Sequence, residues 1–170
     1  MPAKNRTLLL FFIMLSLLIT SCVKVVETPS QAFTWKILIT KAEVKQALKT
    51  TEIVTLYNGE KKEVEHENSP AAGNVYLILN LGISKINTSG GSFEWKDVAV
   101  VDSKGSNYPR LENDSFIVQH NFEPRLTGLA IRFGENKGWI SFEIPKTAAE
   151  GALYLVHTTT EGQQKIEIKK

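Results

Sequence analysis

The chain has 170 residues, 42% hydrophobic, 22% charged and 9% aromatic, with a formal net charge of +2. That balance excludes disordered, collagen-like and coiled-coil chains, and the length suits one domain of ordinary size. A single cysteine excludes an intramolecular disulfide framework and a multi-cysteine zinc site.

Lys4 and Arg6 open the chain, and residues 8–19 are apolar except for Ser16. Twelve residues are too few for a bilayer-spanning helix, which needs about 20. A basic leader before a short apolar run is instead the pattern of a cleaved signal peptide. Ile19-Thr20-Ser21-Cys22 then resembles the bacterial lipobox. That resemblance implies cleavage before Cys22, diacylglycerol on its thiol and further acylation, palmitate included, of the new amine. Two or more acyl chains anchor firmly where one is marginal. The expected organisation is a lipoprotein signal peptide at 1–21, a lipidated N-terminus and tether at 22–32, and one domain at 33–170. Loss of Lys4 and Arg6 leaves 18 basic against 18 acidic residues. A neutral domain without a long basic run offers no electrostatic case for nucleic acid.

From Phe33 onward the apolar residues recur mostly every second position, the signature of strands. Phe33, Trp35, Ile37 and Ile39 alternate with polar residues; residues 41–50 fit a strand continued through a bulge, or a helix, with the strand preferred. Segments 52–57 and 61–67 flank Asn58-Gly59, a hairpin-turn dipeptide. Residues 74–86 place Val75, Leu77, Leu79, Leu81 and Ile83 on one face and predict the central core strand. After a turn at 88–91, strands are expected at 93–101 and 106–109 around the Asp102-Ser103-Lys104-Gly105 turn. Further strands are expected at 115–122, 128–133, 139–144, 152–159 and 165–169. Such a series of short strands predicts an all-β, antiparallel sandwich of about 8–10 strands.

The order of three segments resembles the telokin-like, immunoglobulin-like domain of many bacterial lipoproteins (domain of unknown function 4352), a relative of a mycobacterial secreted immunoprotective antigen. They are Ala72-Gly73-Asn74 leading into the 75–83 strand, Trp95 through Tyr108, and Gly138-Trp139-Ile140-Ser141-Phe142-Glu143-Ile144-Pro145 with the apolar strand after it. The resemblance implies an immunoglobulin-like β-sandwich outside the cytoplasm, with no agreed activity.

Candidate chemistry is sparse. His120 and His157 fall in phase with apolar strand residues, where a hydrogen-bonded core histidine is the commoner outcome. Glu63, Glu65 and Glu67 project from one strand face and read as a solvated surface rather than a calcium site. No nucleophile elbow, phosphate loop, metal-ligand spacing or cofactor motif is present. The best ligand-patch candidates are Trp95, Trp139 and Phe93; Trp139 is out of phase with Ile140, Phe142 and Ile144 and should face away from the core. The expected function is a non-enzymatic, membrane-anchored, extracytoplasmic binding module of the bacterial envelope. Its partners would be the membrane, through lipid on Cys22, and an envelope protein or glycan. The alternatives are a carbohydrate-binding module using exposed tryptophans, which needs a coplanar exposed aromatic pair, and a hydrolase. The hydrolase needs His120 or His157 beside both an acid and a hydroxyl in an open cleft.

Overall fold

A computed structural model describes residues 33–87, 92–126 and 135–170. The expected signal peptide, Cys22, the tether, the turn at 88–91 and the strand at 128–133 lie outside these residues. Nine strands are present among the described residues: β1 (Trp35–Lys45), β2 (Leu48–Thr55), β3 (Lys61–Asn68), β4 (Asn74–Lys85), β5 (Val98–Asp102), β6 (Asn107–Pro109), β7 (Glu135–Pro145), β8 (Leu153–Thr159) and β9 (Gly162–Glu167). They form an antiparallel sheet β1-β4-β7, a second antiparallel sheet β6-β5-β8-β9, and a separate β2-β3 hairpin.

The first two sheets close on each other through one apolar core. Val75, Leu77, Leu79, Leu81 and Ile83 of β4 meet Ile140, Phe142 and Ile144 of β7, Val98 and Val100 of β5, and Leu153 and Leu155 of β8. The fold is therefore an all-β antiparallel sandwich, with β4 as the central strand that its five in-phase aliphatics predict. The opposite face of β4 is covered too. Tyr76 and Ile78 pack with Leu48, Ile117 and Phe122, so over the first half of the strand both faces are apolar.

Three local features have physical reasons, and the second and third depart from the sequence reading. First, β1 shifts register between Ile39 and Lys41, where the Thr40 hydroxyl donates to the Asn80 side-chain oxygen at 2.5 Å. Ahead of this bulge odd-numbered residues face the core, and behind it Ala42 and Val44 pair with Leu79 and Leu77. Residues 41–45 are thus strand, as preferred. Second, the expected strand at 93–101 is interrupted by a 3₁₀ turn at Trp95–Asp97. Phe93 and Val98 are both buried yet five residues apart, a spacing that a period of two cannot place on one face.

Third, the strand expected at 115–122 is a 3₁₀ helix at Asp114–His120. Its buried residues are Asp114, Ile117 and His120, three apart, and side chains at that spacing eclipse in a 3₁₀ helix. This helix belongs to an arm, residues 110–126, that crosses the outer edge of β7. Leu111 N–H donates to Ser141 at 3.0 Å, Leu126 N–H to Trp139 at 3.0 Å, and Trp139 N–H to Pro124 at 2.8 Å. Gly138 permits this approach, because a Cβ there would stand 2.5 Å from the Pro124 carbonyl oxygen. At the hairpin tip Gly59 takes φ +84°, closing a loop in which Leu56 N–H donates to Glu60 at 2.7 Å.

Leu79 has no solvent exposure and sits at the middle of β4. Leu79→Ala should cost about 2–5 kcal/mol in urea denaturation, and Leu79→Lys should abolish the cooperative transition. An unchanged transition in the lysine variant would show that β4 is not central.

Candidate functional site

The three aromatic residues expected to form a patch do not share a surface. Phe93 is 1% exposed and lies in the core, edge-on to Trp35 at 5.5 Å and to Trp95 at 5.1 Å, and stacked on His157 at 4.8 Å. Trp95 is half-buried against that same core, with the Arg110 guanidinium 4.3 Å from its ring centre. Trp139 does point away from the core, as its phase predicts, but onto the opposite side of β7. There it packs edge-on to Phe122 at 4.9 Å beneath the crossing arm, with Lys41 above its ring at 5.7 Å. The set contains no exposed coplanar pair.

What gathers around Trp95 is an ion triad. Asp114 is fully buried and accepts from Arg110 Nε at 3.1 Å, from Arg110 Nη2 at 2.9 Å and from Arg125 Nη1 at 2.5 Å. Arg110 also donates to the Leu126 carbonyl, and the Ser141 amide approaches Asp114 at 3.4 Å. Burial pushes the Arg110 pKa down, and the Asp114 carboxylate opposes that shift. A cleft of about 450 Å³ borders the triad, lined by Trp95, Lys96, Pro109, Arg110, Glu112 and Arg125. Arg125, a quarter exposed, is the triad member most open to a solute, whereas Arg110 is nearly enclosed. The triad first of all joins the two ends of the crossing arm to each other through Asp114, while backbone bonds hold the arm on β7. Planar guanidinium forks suit this task because one carboxylate can take several parallel bonds.

The histidines are held in place by hydrogen bonds and packing. His120 Nε2 donates to Asn68 Oδ1 at 2.9 Å, and its Nδ1 accepts from the Thr50 hydroxyl at 2.7 Å. One neutral tautomer satisfies both partners and ties the base of the β2-β3 hairpin to the 3₁₀ helix. Burial, with His66 nearby, holds the His120 pKa below its ordinary value. A hydroxyl is therefore present beside His120, but a neutral amide stands where the hydrolase reading requires an acid. Burial likewise lowers His157, which is 2% exposed and whose Nδ1 has no hydrogen-bond partner among the described residues. His66 lies on the hairpin surface, 3.3 Å from Glu52.

The carboxylates settle as surface or as turn architecture. Glu63, Glu65 and Glu67 are exposed on β3, with Glu67 paired to Lys49 at 3.1 Å. Asp102 organises its turn by accepting from Lys104 N–H, Ser106 N–H and Tyr108 hydroxyl at 2.8, 2.9 and 2.9 Å. Burial alone would raise its pKa, and these bonds outweigh burial and hold it below the ordinary range. No group of metal-ligating side chains occurs among the described residues, and none of their helices is long and apolar enough to cross a membrane. The Arg110–Asp114–Arg125 triad is absent from the sequence reading. The four-residue spacing of Arg110 and Asp114 is its only local trace, and it carries no helix-pairing signal because the pair closes across a turn ahead of the 3₁₀ helix.

Taken together, the described residues define an antiparallel β-sandwich with an outer arm and a projecting hairpin. No family profile and no curated protein matches the chain. Three solved structures are similar over 81% of it. They are an uncharacterized β-sandwich protein from Clostridium difficile 630 (17% identity, 87% of that chain, TM-score 0.41), a conserved hypothetical protein from Bacillus anthracis (16%, 99%, 0.43) and a lipoprotein candidate, ycdA, from Bacillus subtilis 168 (14%, 39%, 0.44).

Two measurements check this geometry. Asp114→Asn leaves two arginines without their shared counter-charge and should cost about 3–5 kcal/mol in urea denaturation, whereas a loss below 1 kcal/mol would show the triad to be loose. The second is pH dependence. His120 and His157 have folded pKa values below the unfolded value of about 6.5, so their contribution is complete above it and is lost as pH falls through it. The urea midpoint should drop between pH 7.5 and 5.5, and less steeply in His157→Gln; a flat profile in the parent protein would contradict the assigned burial.

Proposed function

We propose that the chain is a lipid-anchored, extracytoplasmic lipoprotein of the bacterial envelope whose sandwich serves as a non-enzymatic binding module. The observation that carries this reading is the placement of the sole cysteine. Cys22 comes directly after Ile19-Thr20-Ser21, at the close of an apolar run over 8–19 that is too short to span a membrane. The resemblance of residues 33–159 to the telokin-like domain of bacterial lipoproteins supports the same placement from the sequence side.

The geometry bears on the binding-module half of the proposal. His120 is occupied by Thr50 and Asn68, and the Arg110–Asp114–Arg125 triad by its own members and the arm. Recognition would then use surfaces that the fold leaves outward, namely loops, strand edges and the projecting hairpin.

The test is metabolic labelling with a fatty acid in a bacterial host, together with the intact mass of the purified product. The parent chain should begin at Cys22 and carry acyl mass, and Cys22→Ser should remain an unlabelled precursor. Label incorporated equally into both would overturn the proposal.

A further inference from the structure

The β2-β3 hairpin belongs to neither sheet of the sandwich, and its main neighbour is the 3₁₀ helix at Asp114–His120. Two contacts dock it there. Leu48, the one buried residue of its two strands, enters the outer cluster with Tyr76, Ile78, Ile117 and Phe122. His120, at the end of the helix, holds one side chain from each strand. Its Nδ1 accepts from the Thr50 hydroxyl of β2 at 2.7 Å, and its Nε2 donates to Asn68 of β3 at 2.9 Å. The clasp is a single titratable ring, 7% exposed. The groups around it supply no counter-charge. On the hairpin face that meets the arm, His66 stands opposite Thr50 and is itself 3.3 Å from Glu52, with Lys62 further out. On the arm, Asp114 is taken up by two arginines and Glu123 is exposed. On the sheet beneath, Tyr76 is packed in the outer cluster and Glu143 is bound by Ala71 N–H and Asn74. No carboxylate pairs with His120 among the described residues.

We infer that the hairpin is an acid-released strap: protonation of His120 frees it from the arm while the sandwich stays folded, and uncovers the apolar seat of Leu48. The bonds at His120 fit the neutral ring. A proton on Nδ1 turns that atom from acceptor to donor, so the Thr50 hydroxyl must rotate away from the bond it now donates. The proton also places a cation inside the interface, where desolvation is costly without a paired charge. Both hydrogen-bond partners of the ring lie on the hairpin, so detachment returns the ring to water, where it takes the proton freely. The state that binds the proton more readily gains as pH falls. Burial, with His66 nearby, already holds the docked ring below its ordinary pKa. Docking is therefore at full strength above the free value of about 6.5 and weakens as pH falls through it. An extracytoplasmic domain meets external pH directly, so the anchor reading gives the strap a stimulus; the strap itself stands on the docking geometry alone.

The experiment is hydrogen exchange by peptide on the full chain at pH 7.5, 6.5 and 5.5, corrected for the intrinsic chemical rate at each pH. A two-stranded hairpin alone is marginal in water, so undocking is read as lost protection at 48–55 and 61–68. A free ring of ordinary pKa limits the effect of one histidine to about ten-fold at pH 5.5, and a loss of about three- to ten-fold is expected. Peptides at 74–85 should keep their protection over the same range. In His120→Gln, protection of the hairpin should no longer change with pH, and a pH effect that persists there unchanged would overturn the assignment to His120. Should that variant leave the hairpin undocked at every pH, the reciprocal effect decides. Leu48→Ala loosens docking without touching the ring, so the His120 midpoint read by NMR should rise toward that of a free histidine. Hairpin protection that is equal at pH 7.5 and 5.5, or lost only together with 74–85, would overturn the inference. So would a His120 midpoint that Leu48→Ala leaves unmoved.

Discussion

The structure depends on one strand whose first half is apolar on both faces. Val75, Leu77, Leu79, Leu81 and Ile83 of β4 form the inner wall of the sandwich, and Tyr76 and Ile78 seed a second cluster on its outside. An ordinary antiparallel sandwich strand shows one face to water. Here the second face must be covered, and the chain covers it with the 110–126 arm, which leaves the main body after β6 and returns into β7. The arm is why Trp139 is half-buried and why Gly138 must lack a side chain. It also brings a buried carboxylate beside two arginines, which join the arm's two ends to each other. Removing the second apolar face would leave the arm, the triad and the hairpin's docking base without a reason to exist.

Several polar groups act as fasteners, either within the arm or between elements distant in sequence. Asp114 joins Arg110 and Arg125, His120 joins Thr50 and Asn68, and Glu161 accepts from both the backbone N–H and the hydroxyl of Thr34. The last clasp ties the β8-β9 turn to the entrance of β1. Those two hydrogen bonds hold the Glu161 pKa below its ordinary value. Such groups are costly when half-satisfied and specify one arrangement when complete.

Legibility from sequence followed the physics of periodicity. The sandwich, the central position of β4 and the outward phase of Trp139 were readable, because a period of two survives wherever one face meets a core. The bulge in β1 was visible as an ambiguity, since a one-residue shift changes which parity is buried. The 3₁₀ helix at Asp114–His120 was misread as strand. Phe116, Val118, His120 and Phe122 alternate convincingly, while the residues that are buried follow a period of three. The triad was invisible because Arg125 meets Asp114 only through the arm's path over β7, a long-range fact that no local pattern encodes. Phe93 looked like a surface candidate for a related reason. The turn at Trp95–Asp97 breaks the period of two between Phe93 and Val98, so the burial of both is not legible from alternation.

Hydrogen exchange resolved by peptide tests the doubly covered strand most directly. Exchange slows where amides are both hydrogen-bonded and locked by packing on each side, and it quickens where a ladder stands in water. Peptides covering residues 74–85 should be the last in the chain to exchange, the arm at 110–126 should open earlier, and the hairpin tip at 53–62 earlier still. If residues 74–85 exchange as fast as the hairpin tip, the account of β4 as the organising element is wrong.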